Sequence, residues 1–187
     1  MRESVFGLGY VGCVTAACLA KAGHEVIGVD VNGGKVAIVN GGTSPIVEPG
    51  LGELLLDVVC NRRLRATTSE REAIDATELA LVCVGTPGHA RGQLNVSGLE
   101  HVAREIGAAL RERPKPYTVV LRSTVLPGTT DDAFAADAAS DRHAMQAHCQ
   151  RLGQCCSPDR QRGRQSAHLI AANDQLLRES AGRVWPR

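Results

Sequence analysis

The sequence predicts an α/β protein built on a doubly wound parallel sheet, incomplete as it stands and trailed by an irregular C-terminal segment. Three observations carry that prediction. Up to about residue 139, short β-like runs alternate with longer helical ones. The runs are apolar nearly throughout, as strands covered on both faces are, rather than alternating apolar and polar. The composition is rich in Ala, Val, Leu and Gly with only 3% aromatic residues, which suits layers packed through small side chains. At 187 residues and 43% hydrophobic content the chain makes one ordinary domain, or one and a fragment of another.

Each element follows in order. SVFGL (4–8) reads as a strand and YVGCVTAACLAKAG (10–23) as a helix closed by Gly23. HEVIGVDV (24–31) is a second strand, and GGKVAIVNGG (33–42) a helical turn or two ending in glycines. LGELLLDVVCN (51–61) reads as a helix, LRATT (64–68) as a short strand, and SEREAIDA (69–76) as a helix capped by Ser69. ELALVCVG (78–85) is an apolar strand, GLEHVAREIGAALRE (98–112) an amphipathic helix, and YTVVLRSTV (117–125) another strand.

Near residue 140 the character changes. The stretch 141–167 is dense in Arg, Gln, His and Cys and has neither helical nor strand periodicity. It offers almost no apolar side chains against an ordering cost of about 1–2 kcal/mol per residue, so it is expected to be mobile and the first target of limited proteolysis. An inserted surface loop and translation from a shifted reading frame both account for such a composition. The domain expectation is therefore 1–139 for the sheet domain and 140–187 for the tail, with AHLIAAN (167–173) able to add a sixth strand.

The first strand–helix junction carries Gly7, Gly9 and Gly12 in G-x-G-x-x-G spacing. Gly7 permits the tight turn, Gly9 lets a pyrophosphate approach the backbone, and Gly12 lets helix and strand pack closely. The phosphate then meets the unpaired N–H groups and positive end of the helix. Asp30 closes the second strand eighteen residues after Gly12, where an acid accepts the ribose hydroxyls of a dinucleotide. This is a Rossmann-type fingerprint. A carboxylate there also repels a 2′-phosphate, and Val31 and Asn32 follow rather than an Arg, so the reading is NAD over NADP. Lys35 could reach the ribose or a phosphate; from spacing alone a solvated helix lysine accounts for it equally. CVGTP (83–87) and RSTVLPGTT (122–130) leave the fourth and fifth strands, which places Thr86 and Thr124 on the ligand side of the sheet. The proline- and glycine-rich GGTSPIVEPGL (41–51) reads as an ordered, non-helical connection with no evident chemistry.

Several classes are excluded. A net charge of +1 gives no reason to expect nucleic acid or anionic lipid as a partner. The cysteines number seven, form no C-x-x-C pair, and include four (Cys13, Cys18, Cys60, Cys83) inside apolar runs. They read as core residues of a reducing, cytoplasmic protein, with neither a disulfide framework nor a metal site. The N-terminus reads as a strand rather than an export signal, because Glu3 offsets Arg2 and Thr15 stands three before Cys18 where a bulky aliphatic is needed. No run is long enough to span a membrane.

Taken together, FGLGYVG, GVDV…K, SPIVEPGL, CVGTP and STVLPGT resemble, in this order, the UDP-glucose/GDP-mannose dehydrogenase family, over about residues 1–136. The wording of SPIVEPGL and RSTVLPGT looks most like the GDP-mannose branch, which supplies GDP-mannuronate for alginate. The resemblance implies that Tyr10, Val11, Asp30, Lys35, Thr86 and Thr124 contact NAD. It implies a nucleotide-sugar substrate, a homo-oligomeric intact enzyme, and a four-electron oxidation of a sugar C6 alcohol using two NAD in turn. In the family a cysteine traps the aldehyde as a thiohemiacetal, which becomes a hydrolysable thioester. The departures are equally specific. The family's N-P-E-F-L-R-E is matched here by Asn173, Leu177, Arg178 and Glu179, but Asp174 replaces the proline and Gln175 the substrate-side glutamate. None of the cysteines sits in the G-G-x-C-L-P-K-D context of the nucleophile. The resemblance thus implies an N-terminal, NAD-binding portion, truncated or frame-disrupted and inactive alone. A non-catalytic dinucleotide-binding remnant and a fragment of a UDP-glucose 6-dehydrogenase are the alternative readings. A complete small reductase fits worst, since no Tyr-x-x-x-Lys or buried His–carboxylate pair is apparent to move a proton.

Overall fold

A computed structural model describes residues 1–88, 94–111, 113, 115 and 117–125, with the backbone of 148–149. The expected boundary at 139–140, the stretch 141–147, and everything from residue 150 on, including the expected strand 167–173 and Gln175, lie outside the described residues.

Five strands and five helices alternate as the sequence predicts: β1 (Arg2–Phe6), α1 (Tyr10–Lys21), β2 (Glu25–Val29), α2 (Gly33–Asn40), α3 (Leu51–Cys60), β3 (Leu64–Thr67), α4 (Glu70–Ala76), β4 (Leu79–Val82), α5 (Ser97–Leu110) and β5 (Thr118–Leu121). A two-residue strand β6 (His148–Cys149) adds to β5. The sheet order is β3-β2-β1-β4-β5-β6, parallel throughout. This is the doubly wound order, in which the chain crosses to the other half of the sheet after β3 and leaves a crevice at the carboxyl ends of β1 and β4.

β1 is shifted two residues toward the N-terminus relative to its apolar run, and the other four strands are shorter than theirs; β1, β4 and β5 show the cause. The first begins at Arg2 and ends at Phe6, since its ladder with β2 starts at Arg2↔Glu25 and Gly7 turns the chain away. Beyond Phe6 the fourth strand has lost its neighbour. It therefore stops at Val82, after which only Cys83 N still donates to Phe6 O at 2.8 Å. β5 stops in turn at Leu121, with Arg122 N on Val82 O.

The sheet has a core on each face, because its central strands point alternate residues to opposite sides. On one face Phe6, Ile27, Val29, Val82 and Leu121 meet Ile74 of α4 and Leu99 and Ile106 of α5. On the other Val5, Val26, Leu64 and Leu81 meet α1, α2 and α3. α1 approaches this face through Cys13, Ala16, Ala17 and Ala20, side chains small enough to bring the helix close to the strands. The α4 start follows its sequence signal, Ser69 Oγ accepting from Glu72 N at 3.2 Å, and α2 is capped by Asn32, whose Oδ1 accepts from Gly34 N and Lys35 N.

Candidate dinucleotide site

The site is assembled where four strand ends meet the N-terminus of α1. Gly7 leaves β1 with φ +92°, a region that disfavours any side chain, and its N–H donates to Val29 O at 2.7 Å. Gly9 then caps α1 with extended backbone and no side-chain cap. A Cβ on Gly12 would lie 1.8 Å from the Gly7 carbonyl oxygen, so the turn closes on the helix only because position 12 is glycine. A Cβ on Gly9 would meet nothing within 4 Å, so the space above it is open to a ligand.

The helix bonds begin at Cys13 N, which donates to Gly9 O at 2.9 Å. The N–H groups before it have no intrahelical acceptor. No acidic residue stands in the first turn to satisfy the helix dipole. Tyr10 and Val11, the first two residues of α1, are both exposed. An anion is the complement of such an end.

Asp30, just past β2, is 8% exposed and firmly held. Its Oδ2 accepts from Leu8 N at 2.8 Å and its Oδ1 from Asn32 N at 2.9 Å. Lys35 Nζ lies 3.3 Å from Oδ2, so the lysine pairs with the acid instead of pointing to solvent alone. Oδ2 already accepts two bonds, whereas Oδ1 accepts one and keeps acceptor capacity for a hydroxyl. The bond from Leu8 N lets the carboxylate brace the glycine turn from below. Neither Leu8 nor Asn32 was a sequence candidate. A turn N–H has no side-chain signature to read.

At the other strand exits Thr86 Oγ1 donates to Thr124 O at 2.7 Å, which ties the β4 and β5 ends together. Buried Ser123 reinforces the tie by donating to Val84 O at 2.7 Å. The structure thus brings Gly7, Gly9, Tyr10, Val11, Gly12, Asp30 and Lys35 together around one turn, and pairs Thr86 with Thr124. Glu48 was also missed; its Oε2 accepts from Tyr10 Oη at 2.6 Å, which brings the otherwise mute 41–50 connection to the same turn.

Four free cysteines lie among the described residues, Cys13 and Cys83 buried, Cys18 partly buried and Cys60 exposed. Burial pushes the Cys13 and Cys83 thiols up to about 11, and burial likewise raises Cys18. No group of His, Cys, Asp or Glu among the described residues is arranged to hold a metal ion.

Residues 1–177 match the profile of the UDP-glucose/GDP-mannose dehydrogenase family, NAD binding domain. The chain belongs to that family. NAD is the cofactor of the domain matched, and the residues present fit it: an open helix end for a pyrophosphate and a fixed acid at the β2 exit for a ribose. Among relatives in the family, GDP-mannose 6-dehydrogenase of Azotobacter vinelandii is 57% identical over 129 residues, 69% of this chain and 30% of that protein. A UDP-glucose 6-dehydrogenase of Haloferax volcanii is 39% identical over 134 residues, 72% of this chain and 31% of that one. The crystal structure of a ternary complex of GDP-mannose dehydrogenase from Pseudomonas aeruginosa superposes with a TM-score of 0.73 at 43% identity, covering 81% of this chain and 37% of that chain. The chain therefore spans about a third of the length of the family members it matches.

Proposed function

We propose that residues 1–187 are the N-terminal, NAD-binding portion of a nucleotide-sugar 6-dehydrogenase of the GDP-mannose to GDP-mannuronate type. The observation that carries the reading is the Asp30 carboxylate, locked under the glycine turn by Leu8 N and Asn32 N beside the uncapped end of α1. The choice of GDP-mannose rests on identity, 57% to a GDP-mannose enzyme against 39% to a UDP-glucose one.

In this proposal the N–H groups of the Gly9–Gly12 turn hold the pyrophosphate. Asp30 accepts from the adenosine ribose hydroxyls, with Lys35 beside it. Thr86 and Thr124 line the crevice on the far half of the sheet. Bound there, NAD supplies the hydride acceptor of the oxidation. The covalent step needs a nucleophile, and no cysteine of this sequence has the family's context for one; the substrate-side glutamate of the family is replaced by Gln175. Residues 1–187 alone then bind cofactor without turning over substrate. A cytoplasmic, homo-oligomeric whole enzyme completes the reading. No helix among the described residues is long and apolar enough to cross a membrane.

The test is a fluorescence titration of the purified chain with NADH and NADPH, followed by incubation with GDP-mannose and NAD. NADH binds at least about tenfold more tightly than NADPH, roughly 1.4 kcal/mol, because a second phosphate would face the Asp30 carboxylate. GDP-mannuronate does not form. Equal affinities would remove the role given to Asp30; sustained formation of two NADH per sugar would remove the claim that the chain is inactive alone.

A further inference from the structure

The connection between α2 and α3 is stiffer than its length suggests. Residues 41–50 contain two prolines. Ser44 Oγ donates to Ile46 O at 2.6 Å and accepts from Ile46 N at 3.3 Å, closing a local turn. Gly50, in the left-handed region at φ +77°, then opens α3, whose Leu51 and Leu55 are buried and anchor the far end. Between these fixed points Val47 is fully exposed, while half-buried Glu48 reaches across to Tyr10.

Tyr10 is the first residue of α1, and its side chain is 57% exposed, so packing alone does not hold its ring. Glu48 does, through a 2.6 Å bond to the phenol oxygen. On charge alone Glu48 is badly placed. A carboxylate beside the helix end that receives a pyrophosphate repels the ligand. Whatever benefit it brings must come through the hydrogen bond. The same bond raises the phenol's pKa above its ordinary value, since ionisation would cost the proton donated to Glu48.

We infer that Glu48 is a positioning residue for the cofactor: through Tyr10 it locks the 41–50 connection onto the phosphate-binding turn and holds the Gly9–Val11 backbone ready for the pyrophosphate. The inference rests on the NAD site proposed above. Preorganisation of this kind acts on affinity, because an ordered turn has less freedom to lose on binding.

The experiment is NADH titration of the full chain as wild type, Glu48→Ala, Glu48→Gln, Tyr10→Phe and the Glu48→Ala/Tyr10→Phe double variant. Losing one net hydrogen bond corresponds to about threefold to tenfold weaker binding, expected for Glu48→Ala and for Tyr10→Phe alike. The double variant is no weaker than either single one, because both break the same contact. Glu48→Gln keeps an acceptor and recovers most of the loss. Alkaline difference absorbance gives a readout independent of cofactor: the chain has two tyrosines, and the ionisation step absent from Tyr10→Phe moves to lower pH in Glu48→Ala. Additive losses, unchanged or tighter binding in Glu48→Ala, a Gln variant no better than Ala, or an unmoved phenol step would each overturn the inference. A wild-type chain that fails to bind NADH overturns the cofactor site itself, and the positioning role with it. Tyr10→Phe removes only an exposed hydroxyl, so the comparison survives if Glu48→Ala folds poorly.

Discussion

Gly9 and Gly12 are three residues apart and chemically identical, yet the structure assigns them opposite vulnerabilities. Position 12 has no room, since a methyl would stand 1.8 Å from the Gly7 carbonyl oxygen and backbone would have to move. Position 9 has room on every side and an ordinary φ of −79°. Gly12→Ala is therefore expected to lower stability by about 3 kcal/mol, at the upper end of overpacking costs. Gly9→Ala is expected to leave stability within about 0.5 kcal/mol and to weaken NADH by more than about tenfold, its methyl occupying the approach of the phosphate. Thermal melts and NADH titration on the two variants check this, and matching profiles would contradict it. The spacing of the glycines was legible because three missing side chains at fixed offsets are visible in any sequence. The bracing of that turn by Asp30 was not, because its donor is the backbone N–H of Leu8.

Among the elements, α4 shows how the far half of the sheet is joined to the near half. Its C-terminal carbonyls are taken by a residue from beyond α5: Arg113 donates to Ile74 O and, at 2.7 Å, to Thr77 O. The same guanidinium lies 4.9 Å from the Tyr117 ring centre. Tyr117 Oη in turn sits 2.7 Å from Thr77 Oγ1 and 2.9 Å from Ser4 Oγ, a buried cluster linking β1, the end of α4 and the start of β5. Arg113→Ala is expected to cost about 2 kcal/mol, since charge-assisted bonds are lost and two carbonyls are left behind. Tyr117→Phe is expected to cost about 1 kcal/mol, because Thr77 and Ser4 keep their bonds to Ala73 O and Leu79 O. Urea unfolding of both variants and their combination should show less than additive loss, and strict additivity would argue against a single unit. The existence of α4 and its Ser69 cap could be read from the sequence. Its C-terminal clamp could not, since nothing local marks an arginine 39 residues on as its partner. Glu3 is a similar case: a charged residue in a strand, 5% exposed, whose Oε1 lies 2.9 Å from His24 Nδ1.

For the whole molecule, the small side chains that let α1 lie close to the sheet impose an alkaline limit. Cys13 and Cys83 are buried on that face, and both thiols are pushed from their ordinary value near 9 to about 11. Below about pH 8 they are protonated folded and unfolded alike and contribute no pH dependence. From about 8 up to about 11 the unfolded chain gives up these protons while the native protein keeps them, so the unfolded state binds fewer protons and stability falls as pH rises, most steeply between about 9 and 11. Above about 11 the loss levels off. Burial also raises the ionisation of Tyr117, which adds in the same direction. The melting temperature is expected to be flat from pH 7 to about 8 and to drop by several degrees by about pH 10.5. The Cys13→Ala/Cys83→Ala variant should lose most of that slope. A wild-type melt that stays flat to pH 10.5 would show the thiols to be more solvated than this packing allows.

The order of elements, the parallel sheet, the glycine turn and the acid at the β2 exit belonged to the sequence by itself. Each depends on local periodicity or on fixed offsets between residues close in the chain. Other features came only with the tertiary structure, because their partners lie far apart in the chain. The Tyr10–Glu48 bond spans 38 residues and the Thr86–Thr124 tie another 38. Strand length belongs to this second group as well: the run ELALVCVG is apolar to its end, yet β4 stops at Val82. A strand lasts only as long as its neighbour supplies hydrogen-bond partners, and that neighbour, β1, ends where Gly7 turns toward the cofactor site.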